Sequence, residues 1–381
     1  MSWQTFAARP SSVKIYTAEI SVADPANPSA DREVLYFSSD TLNPALTDIY
    51  HEPCIQQLPT FTRSLQAVAS GRTSAAFGTL TLLIGDGHLD SMIASHVFAG
   101  ADVVIKLGFD GLPAAEFKEI FTGYVTANPK PNDTQMTLPL ADKVRQLLDH
   151  KLTEQTLSGA LPSVISTLLD SASVPAAKRN VTMWDAWSAE NNFNVWLPVS
   201  KNQTVASVLD SLLAPLGCWF GFGRDGFFRV ATFAAPAADA VADIELTDIE
   251  LTEFKGEQAH SDHAWKVVVS YYSATGEIPE TSERSWEDLT IKNLNPSAVE
   301  ISKNTALTSS VNADTVRDRW KALLSAFRKV AHFTAEAELF GLHLGDIVRV
   351  TRERFDLNAL YVVRKVTDNM TSDSVTLELF R

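Results

Sequence analysis

The sequence predicts an α+β protein, mainly β, with two antiparallel β-barrel modules flanking an α/β middle region. Three observations carry this prediction. A three-strand phrase between Asp102 and Leu140 recurs between Asp346 and Phe380. The apolar period changes from two to about 3.6 after Ala141, where strands give way to helices. A long amphipathic stripe, expected as a helix over about 314–330, then precedes the late copy.

The copies share a plan. The early one opens Asp102-Val-Val-Ile-Lys-Leu, continues Phe121-Thr-Gly-Tyr-Val-Thr-Ala-Asn and closes Gln135-Met-Thr-Leu-Pro-Leu. The late one opens Asp346-Ile-Val-Arg-Val, continues Tyr361-Val-Val-Arg-Lys-Val-Thr-Asp-Asn and closes Ser374-Val-Thr-Leu-Glu-Leu. In each, β-branched and aromatic runs alternate with turn residues, as in a meander. Met136, Leu138 and Leu140 share one face of the early closing strand, and Val375, Leu377 and Leu379 share one face of the late one. A three-strand meander is not stable alone, so each copy needs more strands, a closed barrel or a neighbouring chain.

Before the early copy, Val13-Lys-Ile-Tyr and Val34-Leu-Tyr-Phe read as strands joined by a hairpin tip from Asp24 to Asp31. Thr79 to Ile84 is a further strand, ended by Gly85-Asp-Gly. Val144, Leu147 and Leu148 suit a short helix, and Pro162 stands at an expected first helical position ahead of Val164, Ile165, Leu168 and Leu169. Thr204 caps a helix whose stripe is Val205, Val208, Leu209, Leu212 and Leu213, stopped by Pro215 and Gly217. Two strands follow, joined at Arg224-Asp-Gly, and Ala234 to Ala242 reads as a linker. Trp265 to Tyr272 is a strand, Ser273 to Glu287 a polar loop, and Val316, Trp320, Leu323, Leu324 and Phe327 form the stripe of the long helix. Phe333, Ala335, Ala337 and Leu339 alternate with polar residues as a half-buried strand. The domains expected are 1–150, 151–240 and 241–381.

A chain of 381 residues can bury two or three cores. A formal charge of -14 argues against a protein that grips nucleic-acid phosphates. With only Cys54 and Cys218 there is no disulfide framework, which suits folding in a reducing cytoplasm. No secretory signal is seen at the N-terminus, and no apolar run approaches the roughly 18 residues of a membrane helix.

Candidate chemistry is sparse. Gly221-Phe-Gly-Arg-Asp-Gly226 matches the dinucleotide fingerprint, but Phe227-Phe-Arg-Val continues as a strand where that site needs a helix. His260 and His263 flank Asp262 at a spacing open to zinc, yet no third or fourth ligand is evident, so a loop is expected. Asp86, Gly87 and Asp90 read as a turn rather than a calcium loop. No nucleophile elbow or protease cysteine context is present. The group Trp184, Trp187, Phe193 and Trp196 suits core or interface, with a sugar-stacking face as the alternative. No catalytic, cofactor-binding or metal-ligating residue is assigned, and no cofactor is expected.

The repeated module, the run from Val208 through Cys218-Trp-Phe-Gly-Phe to Gly226, and Leu344-Gly-Asp-Ile-Val-Arg-Val-Thr together resemble the central baseplate hub proteins of tailed bacteriophages and of gene transfer agents. The three segments are spread over most of the chain, each as a pattern of residue types. The resemblance implies two tube-forming β-barrels, a non-enzymatic role in the virion tail, and no catalytic residues to carry over. It also implies a homotrimer whose six barrels join a sixfold tail tube to a threefold tip. Neighbouring tail proteins (distal tail or tube ring, tape measure, tip or fibre proteins) are the expected partners, and genomic DNA passes an acidic or neutral lumen without specific binding. Two alternatives stand beside this one: a distal tail protein forming a hexameric ring, and a carbohydrate-binding or hydrolytic module.

Overall fold

In a computed structural model the described residues are 13–25, 32–43, 46–65, 71–74, 77–87, 89–247, 251–259, 263–273, 280–336, 341–355, 357–372 and 374–381. The first third forms β1 (Lys14–Ala23), β2 (Glu33–Ser38), β3 (Ile55–Gln57), β4 (Thr60–Ser64), β5 (Gly71–Arg72), β6 (Phe77–Leu83), β7 (Val97–Phe109), β8 (Lys118–Val125) and β9 (Gln135–Asp142). Seven of these make one sheet in the order β2-β1-β7-β8-β9-β6-β3. Its two edges meet across one short segment: Glu52 exchanges backbone bonds with Tyr36 and Ser38 at 2.9 and 2.8 Å, while Leu83 donates to the Cys54 carbonyl at 2.8 Å. Curling of this kind leaves few unpaired strand edges. Met136, Leu138 and Leu140 are all buried on the inner face, as period-two patterning requires.

The middle region places β10 (Gln155–Ala160) against β11 (Asn194–Val199), and β12 (Cys218–Phe222) against β13 (Phe228–Thr232). The Thr204 hydroxyl accepts the Ser207 N–H at 3.2 Å, capping the Val205–Leu213 helix, whose five stripe residues are buried. Gly217 (φ 73°) follows that helix and its terminal 3-10 turn in the left-handed conformation that favours glycine. Pro162 occupies the second rather than the first position of the Leu161–Ser171 helix, where its missing N–H is equally harmless.

The last third contributes β14 (Ile244–Leu246), β15 (Leu251–Ala259), β16 (Ala264–Ser273), β17 (Glu280–Glu287), β18 (Val299–Asn304), β19 (Lys329–Glu336), β20 (Ile347–Arg352), β21 (Leu357–Asn369) and β22 (Ser374–Phe380). The second large sheet runs β14-β20-β21-β22-β19-β15. Again consecutive pieces of one segment occupy both edges: β14 lies beside β20 and β15 beside β19, and Leu251 N–H bonds back to the Thr247 carbonyl at 3.3 Å. The centre β20-β21-β22-β19 repeats β7-β8-β9-β6 strand for strand, so the module used twice has four strands, one more than the sequence phrase reveals.

Three expectations need correction. Residues 280–287, read as loop, form β17, paired along its length with β16; its inward residues Arg284 and Trp286 pack with long stems over the adjoining helix. That helix spans Ser310–Leu324, and Phe327 lies beyond its end, 71% exposed, instead of on the stripe. The Val-Thr-x-Asn phrase common to both copies, expected as a turn, leaves the strand only in the early copy, where β8 ends at Val125; in the late copy Val366 to Asn369 lie inside β21, so Val125 faces Leu140 whereas Val366 faces Leu377. The hairpin tip at residues 26–31 lies outside the described residues, as do the strand positions Ala337 and Leu339.

Candidate functional site at the joint between the modules

Three distant pieces of chain converge where the modules meet. β4, from the first third, leaves its own sheet and pairs with β21 of the second, Ser64 opposite Lys365 and Thr60 opposite Asn369. Its Phe61 is fully buried and stacks on Phe121 of β8 at 3.9 Å between ring centroids. Gly78 of β6 makes room for this ring, since a Cβ there would come within 2.8 Å of it. One five-residue strand therefore binds one module by backbone and the other by packing.

The tip of the β12-β13 hairpin is the third piece. Gly226 (φ 70°) turns it tightly, and a Cβ there would meet Thr122 of β8 at 2.7 Å. Arg224 Nη2 donates to Asp368 Oδ1 of β21 at 2.6 Å, and Arg63 Nη1 of β4 donates to Asp368 Oδ2 at 3.0 Å. All three residues are buried, Asp368 to 1% exposure. Burial pushes the Asp368 carboxyl upward, and the two guanidiniums facing it pull against that push. Arg224 is pushed down to about 10 by burial and remains charged at neutral pH. A buried triad of this kind adds little net stability but makes the loss of any one member costly.

Around it lies a second layer. Arg229 Nη2 donates to Asp225 Oδ2 at 2.8 Å and lies 3.3 Å from His343 Nε2, while the His343 N–H donates to Asp346 Oδ2 at 2.7 Å. Burial, reinforced by Arg229, Arg224 and Arg63, pushes His343 down to about 2, so its ring is neutral and Nε2 accepts. Burial pushes Asp346 up to about 6. The cavity these residues line is only about 10 Å³, room for one water, so the cluster is a structural lock with no space for a substrate.

The motifs singled out in the sequence fall elsewhere or into this lock. The Gly221 to Gly226 match is the tip of the hairpin, joining two strands and making the joint instead of cradling a phosphate. His263 is buried, its ring nitrogens occupied by the Ser325 carbonyl and Asn295 amide at 2.9 and 3.1 Å; His260 and Asp262 lie outside the described residues. No group of three or more metal-ligating side chains occurs among the described residues. Gly87 N–H bonds to the Ile84 carbonyl at 2.9 Å, the turn expected there. Trp187 and Phe193 are buried core rings, with Trp187 Nε1 donating to Cys218 Sγ at 3.4 Å, while Trp184 and Trp196 are half-buried, Trp184 beneath the Arg179 guanidinium at 5.2 Å and Trp196 edge-on to Tyr272 at 5.0 Å. Cys54 and Cys218 are free and buried. No helix among the described residues is long and apolar enough to cross a membrane.

With this architecture in view, known structures can be set beside it. A tail protein from Neisseria meningitidis MC58 superposes with a TM-score of 0.50 at 11% identity, over 96% of each chain. The 43 kDa tail protein of prophage MuSo2 from Shewanella oneidensis superposes with a TM-score of 0.51 at 11% identity, over 96% of this chain and 98% of that one. No family model matches the chain, and no curated protein matches it by sequence. The chain thus has the fold of phage tail proteins, mainly β with two curled antiparallel sheets, as the resemblance in its sequence implied.

Proposed function

We propose that this chain is a non-enzymatic structural protein of a phage tail tip, a trimeric baseplate hub that adapts a sixfold tail tube to a threefold distal end and lines the DNA channel. The observation that carries this reading is the repeated strand order, β7-β8-β9-β6 and β20-β21-β22-β19, within one chain. Three copies would present six similar modules, which matches sixfold symmetry on one side and threefold on the other. The buried joint supports it, because modules that share a ring must hold a fixed mutual orientation. The division into 1–150, 151–240 and 241–381 goes with this reading, the middle part supplying the hairpin that wedges the modules together. Neighbouring tail proteins are the partners, the virion tail is the location, and DNA passes without specific binding, in keeping with a charge of -14.

The test is the native mass of the purified chain at several concentrations, alone and with its neighbouring tail proteins. A trimer is expected. A hexamer would favour a distal tail ring, and a monomer under every condition would remove the hub reading.

A further inference from the structure

An open groove of about 470 Å³ lies on the second module, floored by β20, β21 and the chain end. Arg328, Lys329, Arg349 and Arg381 line it, a concentration of positive charge on a strongly acidic chain. Two carboxylates face them: Glu257 takes Lys329 and Arg381 at 2.7 Å, and Glu245 stands 3.8 Å from Arg349. Arg328 is committed to the Ala322 and Leu323 carbonyls. Beside the cations, Phe327 is held up by His263, its ring 4.3 Å away, and is 71% exposed. Positive charge flanking a braced, exposed aromatic ring suits an acidic protein strand better than a bare phosphate chain.

The same chain carries such a strand. β17 is the edge of the sheet β17-β16-β18, and its outward residues Glu283 and Glu287 are exposed, with Glu280 at its start. Arg284 and Trp286, between them, face inward. We propose that this groove receives the β17 edge of a second copy, Glu283 and Glu287 meeting Lys329 and Arg349 while Phe327 covers the strand. The contact joins two different surfaces, so it propagates head to tail and closes a ring when the rotation allows. It rests on the hub reading for the ring, and on charge complementarity for the pair of surfaces.

Lys329→Glu with Arg349→Glu, in the full chain, should weaken self-association by about tenfold at moderate salt, read by sedimentation, with the melting temperature little changed. Adding Glu283→Lys and Glu287→Lys to that chain should restore it. Raising salt should weaken the parent contact. Association unaffected by the groove reversal overturns the inference and leaves the trimer standing. Loss without rescue overturns the choice of β17. A chain that stays monomeric even with its tail partners overturns both readings. Duplex DNA bound by the parent and released by the groove reversal overturns it in favour of a nucleic-acid site.

Discussion

The two modules share four central strands in the same order and differ in how far one ladder runs. In the first, the β8-β9 ladder ends where Val125 meets Leu140. In the second, the ladder passes the corresponding pair, Val363 and Leu379, and continues to Asn369 and Ser374. The residue at the divergence is Pro139 in one and Glu378 in the other. The Pro139 carbonyl accepts the Thr126 N–H at 2.8 Å, so its nitrogen also faces β8 and has no hydrogen to offer. Glu378 keeps its N–H, stands opposite Lys365 of β21, and adds an ion pair to Arg364 at 3.4 Å. The extra length of β21 carries Asp368 and the pairing with β4. Pro139 on one strand, with Pro129 and Pro131 in the segment after β8, goes with the module whose ladder ends, and their absence from β21 and β22 with the module that clasps its neighbour.

The largest effect should come from cutting the clasp. Asp368→Ala leaves two guanidiniums buried without their carboxylate and should cost about 3–5 kcal/mol in urea unfolding. Replacing Asp368, Arg63 and Arg224 together by apolar residues of similar volume should recover most of that loss. A triple variant as unstable as the single one would contradict the lock. Next, Glu378→Pro, making the second module resemble the first, should cost about 1–3 kcal/mol by orphaning a ladder acceptor, whereas Pro139→Glu should cost less. Equal losses for the two exchanges would remove the proposed reason for the difference between modules. Smaller again, Thr204→Ala should lower stability by about 1 kcal/mol through loss of the cap, measurable as a shift in denaturant midpoint.

The joint also sets a pH dependence. Asp346 is pushed up from 3.8 to about 6, so across that window the folded chain holds the extra proton and this group makes stability fall as pH rises. His343 works oppositely: held neutral down to about 2, it makes stability fall as pH drops below its ordinary 6.5. In the parent the two partly offset each other between pH 4 and 6. Asp346→Asn should therefore lose stability more steeply on acidification from pH 7 to 4.5, by chemical unfolding at each pH. An unchanged slope would mean that Asp346 titrates normally, and a shallower one that its carboxyl is held below its ordinary value.

Local pattern made part of this legible. Period two placed Met136, Leu138, Val375 and Leu377 correctly, and Thr204 with Gly217 bracketed a helix and its terminal turn, because these signals act within a few residues. The strand following Gly226 ruled out a nucleotide loop for the same reason. β17 was hidden because its only apolar residue is Trp286, and its partner β16 supplies the order. The joint was hidden more deeply: Arg63 and Asp368 are 305 residues apart, and nothing near either one encodes the other. The repeated Val-Thr-x-Asn phrase pointed to duplication but read as a turn in both copies, whereas in the late one β22 and β4 pair with it on either side and hold it as strand.

The most direct test is the symmetry of the assembled ring, by electron microscopy of the chain bound to its tail partners. Averages should show three subunits, each contributing two similar lobes to an inner ring of six around one channel. Six subunits contributing one lobe each, with the second module held away from the axis, would contradict the proposal that duplication within the chain is what matches the two symmetries.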